Sequence, residues 1–349
     1  MRVVVVGATG NVGTSVVRAL AGDVNVTSIV GVARRMPGWR VDRTDWRQAD
    51  VVSADLTRIF DGADVVVHLA WLFQPTRDPA TTWRANVLGS MRVFRAAAEA
   101  GVSALIHASS VGAYSPGPKD RPVDESWPTH GWPGAAYGRE KAYVERVLDV
   151  FEHDHPGIRV VRMRPGFVFQ RVAATEQRRL FAGPFVPRRL VRPGRIPFVP
   201  DISGLRLQVV HAGDVAEAYR LAVTRPVKGA FNIAAEPVLY PHDLAKLLDT
   251  RTVPVPRGLA RAAVAAGWHM RLLPAAPGLL DMLLRLPVMK VERARDVLGW
   301  TPARSSFEAV RELIDGLHDG AGMDTAPLAP DAGPVDRLKE LATGIGGRP

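Results

Sequence analysis

The chain carries no cysteine, so it forms no disulfide, binds no metal through thiolates and uses no thiol nucleophile. No apolar run is long enough to cross a bilayer. The first apolar run begins at residue 3, which leaves no room ahead of it for a signal peptide, and the expected location is cytoplasmic. Lysine is scarce, standing only at positions 119, 141, 228, 246, 290 and 339, so the formal charge of +10 rests on scattered arginine. No nucleic-acid module is recognisable, and neither nucleic acid nor a membrane is expected as a partner. One local cluster, Arg178, Arg179, Arg188, Arg189, Arg192 and Arg195, reads either as a binder of an anionic substrate or as a solvated loop.

What is present begins at the amino end, where Val3-Val4-Val5-Val6 runs into Gly7-Ala8-Thr9-Gly10-Asn11-Val12-Gly13. A β-branched run of this kind predicts a strand buried on both faces of a parallel sheet. Gly7 permits the tight exit, Gly10 lets backbone approach a pyrophosphate, and Gly13 lets the next helix sit close to the strand with its amino end facing the phosphates. The spacing is G-x-x-G-x-x-G, and Thr9, Asn11 and Val12 fall within the same expected cofactor turn. About twenty residues past such a turn, a carboxylate normally takes the ribose 2′-hydroxyl of NAD, whereas arginine accommodates the 2′-phosphate of NADP. Here the sequence reads Gly31-Val32-Ala33-Arg34-Arg35. The prediction is NADP rather than NAD, with Arg34 as the phosphate ligand and Arg35 assisting.

At 349 residues the chain exceeds one compact core, which predicts a main domain and a second lobe. Apolar runs alternate with helical patterns, the signature of an α/β fold with a Rossmann-like, doubly wound parallel sheet. Strands are expected near 2–6, 26–33, 45–52, 64–69, 103–109 and 158–163, and helices near 11–21, 82–100 and 134–153. Regular alternation stops after 165. It returns over 205–235 as an apolar strand, a helix near 213–224 and a short strand at 230–233. The nucleotide-binding domain is therefore expected to comprise 1–165 plus 205–235, with a smaller, mostly helical substrate lobe from 166–204 plus 236–318. Within that lobe, 253–290 reads as helices broken by Pro274 and Pro277. From 319 onward Gly, Pro, Ala and Asp dominate, and 319–349 is expected to be a poorly ordered tail.

Chemistry is visible at Tyr137-Gly138-Arg139-Glu140-Lys141, where Tyr and Lys four apart on a helix project from one face. A nearby ammonium favours the phenolate and brings the Tyr pKa toward a range useful for proton transfer. The pair follows the fifth expected strand, which ends in Ala108-Ser109-Ser110, and ligands of doubly wound sheets bind at carboxyl strand ends.

Together these residues resemble the extended short-chain dehydrogenase/reductases, also called the NAD-dependent epimerase/dehydratase family. The resemblance takes in the glycine turn, Asp55-Leu56, His68-Leu69-Ala70, Asn86 with Gly89, Ser109-Ser110 with Tyr114, Tyr137 with Lys141, and Arg164-Pro165-Gly166. It continues through Val210-His211-Ala212-Gly213-Asp214-Val215-Ala216, Gly229-Ala230-Phe231-Asn232 and Leu298-Gly299-Trp300-Thr301-Pro302. It implies that Tyr137 is the general acid/base and that Lys141 lowers its pKa and hydrogen-bonds the nicotinamide ribose. Ser110 corresponds to the catalytic Ser/Thr, four residues before Tyr114 in an S-x-x-x-Y pattern, with Ser109 as the neighbour able to substitute. Asp55 and Leu56 are implied at the adenine end, Leu69 and Ala70 against the cofactor, and Pro165 and Gly166 at the nicotinamide. Asn86 and Asp214 read as braces of loops and helix starts. The Tyr-bearing helix is often a homodimer face in this family, so a homodimer is expected.

Reaction type is narrowed by what surrounds these positions. Family dehydratases carry acidic residues just after the catalytic hydroxyl, but Ser110 is followed by Val111-Gly112. Nucleotide-sugar epimerases usually carry Asn where this chain has Phe167. Phe167, Phe169, Phe181 and Phe185 either line an apolar pocket or pack internally. The expected function is an NAD(P)-dependent oxidoreductase moving hydride between nicotinamide and a carbinol or ketone carbon of a small-molecule substrate. The alternatives are a nucleotide-sugar 4-epimerase with tightly held NAD and a non-catalytic NADP-sensing regulator.

Overall fold

The computed structural model describes residues 1–183 and 191–330. The chain runs β1 (Arg2–Val6), α1 (Asn11–Ala21), β2 (Ser28–Ala33), β3 (Thr44–Gln48), α2 (Leu56–Phe60), β4 (Val65–His68), α3 (Pro79–Trp83), α4 (Gly89–Glu99), β5 (Ala104–Ala108), α5 (Ala136–Asp154) and β6 (Arg159–Pro165). It continues through β7 (Phe167–Phe169), α6 (Ala174–Gln177), β8 (Val199–Asp201), β9 (Val209–His211), α7 (Ala212–Thr224) and β10 (Gly229–Ile233). It ends with α8 (Pro241–Leu247), β11 (Thr252–Pro254), α9 (Arg257–His269), α10 (Pro277–Leu283), α11 (Glu292–Asp296) and α12 (Ser306–Asp319).

Seven strands form the main sheet in the order β10-β6-β5-β4-β1-β2-β3, and every neighbouring pair is parallel. Successive side chains of a strand leave on opposite faces. Val3, Val5, Ile29, Val65, Val67 and Ile106 therefore pack on α1 and α7 through Val16, Val17, Leu20 and Val215. Val4, Val6, Val30, Val66 and Leu105 pack on α4 and α5 through Val93, Phe94, Val144 and Leu148. Burial on both faces is why these strands read as unbroken apolar runs.

The expected helix over 82–100 is divided. α3 opens with Pro79 in its first turn, Asp78 caps it, a wide π-type turn occupies Arg84–Leu88, and α4 follows. The apolar strand expected from 205 onward, β9, pairs with β7 in a separate two-stranded sheet, whereas α7 and β10 join the main sheet. A second small sheet pairs β8 with β11. The break expected at Pro274 and Pro277 separates α9 from α10, and Pro277 stands in the first turn of α10. α12 opens on a capping box between Ser305 and Glu308 and closes on Gly320 with φ 64°, a left-handed conformation suited to glycine.

Beyond Gly320 the structure corrects the sequence expectation of a disordered tail. Residues 321–330 are folded onto the molecule, with Thr325 and Leu328 buried. The remainder of that expected tail, 331–349, lies outside the described residues. Among the described residues, no helix is long and apolar enough to cross a membrane.

Candidate active site

The connections after β1 and β4 leave in opposite directions, and a crevice opens beyond the carboxyl ends of these two neighbours. It holds about 170 Å³ and is lined by Gly7, Thr9 and Gly10 of the turn, Arg34 and Arg35 after β2, Asp50 and Val51 after β3, and Leu69 to Gln74 after β4. Glu176, Leu180 and Pro327 close its outer side. Gly7 has φ 87°, and a Cβ there would lie 2.6 Å from the Ala70 nitrogen, so only glycine allows β1 to turn this close to the β4 loop. A Cβ on Gly10 would meet only the Gly7 carbonyl at 3.7 Å, which leaves its backbone open to approach. Gly10 is the N-cap of α1, and no side chain caps that helix. Uncapped amides at the start of an 11-residue helix form a ready anion site, so the turn fits the pyrophosphate of a nicotinamide dinucleotide.

β5 and α5 bring the expected chemical groups together. Ser110 Oγ accepts the Gly112 N–H at 3.0 Å and lies close enough to the Tyr137 phenol to draw its pKa down. Burial pushes the Tyr137 phenol up to about 12, with Ser110 pulling the other way. Lys141 Nζ donates to the Ala108 carbonyl at 2.6 Å and sits 3.3 Å from the centre of the Trp71 ring. Burial holds the Lys141 amine well below its ordinary value, against the opposing charges of Glu145 and Glu140. The Lys141 amine is turned to Ala108 and Trp71, 5.9 Å from the Tyr137 ring centre, and burial is the largest influence on the phenol.

The sequence reading did not single out the aromatic residues around Tyr137. Phe73 stacks on Tyr137 with centroids 4.7 Å apart and planes 13° from parallel, and Trp71 meets it edge-on at 5.9 Å. Trp71, Leu72 and Phe73 line both the crevice and a second cavity of about 460 Å³, a stretch of wall common to the two. That cavity is lined by Trp71, Phe73, Trp132, Tyr137 and Trp268, with Glu140, Arg139, Arg261 and Asp281 as its charged groups. Asn86 fixes the wall: its carbonyl accepts the Leu72 N–H at 2.7 Å, and its amide donates to the Leu72 carbonyl at 2.8 Å and to Glu140 at 2.6 Å. Thr82 donates to the other Glu140 oxygen at 2.6 Å. Burial raises the Glu140 pKa, and these two hydrogen bonds oppose it. Asn86 is thus a brace, as expected. So is Asp214, whose carboxylate accepts the Ala303 and Arg304 amides.

Ser109, the neighbour named as a substitute for Ser110, is hydrogen-bonded elsewhere. It donates to Glu145 at 2.5 Å. Arg164 grips both oxygens of Glu145 at 2.9 and 3.0 Å, and Arg162 adds a contact at 3.1 Å. Burial alone would raise the Glu145 carboxyl, but these arginines outweigh it and hold it down to about 2.

Several expected cofactor residues stand elsewhere. Asp55 is the N-cap of α2, accepting the Arg58 amide, and Leu56 is buried in the core, so the residues after β3 that line the crevice are Asp50 and Val51. Asp55-Leu56 and Asp50-Val51 are both Asp-apolar pairs after β3, and the later one serves as the helix cap. Asn11 turns its amide to the Val168 carbonyl, and Val12 packs on the core. Pro165 ends β6 beside Ile233, and Gly166 follows it against Gln208, both outside the crevice lining. Phe167 and Phe169 pack in the interior, and Phe181 meets Phe73 edge-on. The arginine cluster is divided: Arg178 is buried and donates to the Gly183 carbonyl, whereas Arg192 and Arg195 are exposed. Phe185, Arg188 and Arg189 lie outside the described residues.

A family model, described as the NAD dependent epimerase/dehydratase family, matches residues 3–234. The chain belongs to this family and is an NAD(P)-dependent enzyme. A 3-diazoavenalumate denitrifying reductase from a Streptomyces species is 30% identical over 88% of this chain and 98% of its own length. A ketoreductase from Stigmatella aurantiaca, acting on a farnesylated 3-oxo-dihydroquinoline-1-oxide, is 30% identical over 68% of this chain and 73% of its own length. The solved UDP-glucose 4-epimerase of Thermotoga maritima superposes with TM-score 0.68 at 21% identity, over 91% of this chain and 99% of its own, which shows the shared fold.

Proposed function

We propose that the protein is an NADP(H)-preferring oxidoreductase that reduces the carbonyl of a flat, largely apolar small molecule. The observation that carries this reading is the placement of Tyr137. It lies beside a dinucleotide crevice with Arg34 and Arg35 at one end, and it also lines a cavity walled by Trp71, Phe73, Trp132 and Trp268. Aromatic walls with a few charged groups suit a flat apolar ligand. The bound nicotinamide supplies the hydride. Ser110 and Tyr137 hold the carbonyl oxygen, and Tyr137 Oη gives that oxygen its proton as the carbon accepts the hydride, so a ketone becomes a secondary alcohol. A phenol held at about 12 keeps its proton at neutral pH, as a donor must. The names of the two bacterial relatives, both reductases, support the same direction.

We further propose self-association through the outer face of α4 and α5, where Leu88, Tyr143 and Val150 are exposed. The experiment for the principal reading joins mass spectrometry of copurifying nucleotides with NADPH and NADH titrations and turnover of aryl ketones. The expected result is an exchangeable NADPH site and ketone-dependent NADPH oxidation that falls by roughly 10²–10⁴ in Tyr137→Phe with cofactor affinity kept. Retained NAD with interconversion of a UDP-sugar would overturn it in favour of an epimerase. Cofactor binding with turnover of neither substrate would leave a sensor.

A further inference from the structure

The segment after α12 has no part in the family motifs, yet it lies across the dinucleotide turn. Gly320 reverses the chain, and residues 321–330 run back over the crevice. Thr325, buried, donates its hydroxyl to the Thr9 carbonyl at 2.9 Å, inside the glycine turn itself. Pro327 lines the crevice opposite Gly10 and Arg34. Arg179 donates to the Pro327 carbonyl at 2.7 Å, Thr175 to the Ala321 carbonyl at 2.7 Å, and the Trp39 amide to the Asp324 carbonyl at 3.3 Å. The segment therefore ties α6 and its following turn to the loop after Arg34 and Arg35.

With the segment in place the crevice holds about 170 Å³, below the roughly 300–1,000 Å³ of small-molecule clefts. A dinucleotide is larger than most such ligands, and Pro327 stands in the lining it would meet. The hold is that of a latch: hydrogen bonds to main-chain carbonyls, with the Arg179 guanidinium among the donors and Leu328 as its fully buried anchor. Contacts of this number and kind open locally without unfolding the sheet.

We propose that residues 321–330 are a strap forming the outer wall of the dinucleotide site, which opens to admit a nicotinamide dinucleotide and closes over its phosphate and adenosine half. The proposal rests on the crevice taking that cofactor. The strap gates both directions, so it slows association and dissociation together. Stopped-flow fluorescence of NADPH with the full chain and with a chain ending at Gly320 measures this directly. Truncation is expected to raise both rate constants roughly tenfold or more, with a smaller change in Kd. Should truncation impair folding, Thr325→Val and Leu328→Ala in the full chain loosen the latch and its anchor, and each is expected to raise the dissociation rate roughly three- to tenfold. Hydrogen exchange of residues 321–330 supplies a second readout: their amides are expected to slow when NADPH is added. NADPH binding with unchanged rate constants in both full-chain variants and unprotected strap amides overturns the strap alone. A full chain that binds neither NADPH nor NADH overturns the strap and the cofactor reading together.

Discussion

Gly112 shows how tightly Tyr137, the proposed proton donor, is seated. A Cβ at this position would lie 2.6 Å from the Tyr137 ring and 3.4 Å from Ser110 Oγ, well inside ordinary contact. Gly112→Ala is therefore expected to push the phenol off Ser110, lowering kcat roughly tenfold or more while NADPH affinity changes little, because misplacement of a reacting group is costly. Steady-state kinetics beside a binding titration separate the two effects. Arg34, which lines the crevice after β2, is the residue that the proposed reading sets at the adenosine end. Loss of charge-assisted hydrogen bonds costs about 1.5–3 kcal/mol each, so Arg34→Asp is expected to weaken NADPH roughly 10–100-fold and leave NADH nearly unchanged. An unaltered preference for NADPH in that variant would remove Arg34 from the site.

Among the elements, the wide turn at Arg84–Leu88 does what a regular helix could not. It sets Asn86 where its amide reaches both Leu72 main-chain groups and Glu140, and such turns recur at functional sites. Asn86→Ala leaves the two buried Leu72 main-chain groups without partners and Glu140 with Thr82 alone, at about 1–3 kcal/mol for each unsatisfied group. It is expected to lower Tm and to raise KM for the carbonyl substrate, since Trp71 and Phe73 lose their support; circular dichroism melts and kinetics check the two. The strands were legible because burial on both sheet faces leaves a β-branched run, and Tyr137 with Lys141 because helical spacing fixes a shared face. The turn at Arg84–Leu88 was not, because apolar periodicity runs through it unbroken. Asp50 and Asp55 are alike in sequence, and only the cap on α2 separates them. The strap over 321–330 has the composition of a disordered tail, and its order comes from distant partners at Thr9, Thr175 and Arg179. The outer face of α4 and α5 carries its own expectation. Tyr143→Glu with Val150→Glu should convert a dimer to a monomer in light scattering, because it places charge on a desolvated surface.

At the scale of the whole molecule, Glu145 joins parts that are distant in sequence. Its carboxylate binds Ser109 after β5 and Arg162 and Arg164 of β6, and Arg164 reaches the Tyr114 hydroxyl, which bonds Asn232 of β10. A buried cluster of this sort ties the carboxyl ends of three strands together. The arginines hold the Glu145 carboxyl at about 2, down from an ordinary 4.5. A depressed carboxylate contributes stability that is fully present above the unfolded value and is lost as pH falls toward the folded one. The contribution is about 3 kcal/mol on that shift, and it disappears between roughly pH 5 and pH 2. Glu145→Gln leaves two buried guanidinium groups short of their counter-charge, a loss of about 3–5 kcal/mol near neutral pH. Its stability should then fall less steeply with acid than that of the parent protein, because one proton fewer is taken up on unfolding. Urea unfolding at a series of pH values measures the slope directly. Equal acid slopes in the two proteins would mean that Glu145 does not carry this pH dependence and that the arginine cluster is held by its other carboxylates, Asp149 and Glu152.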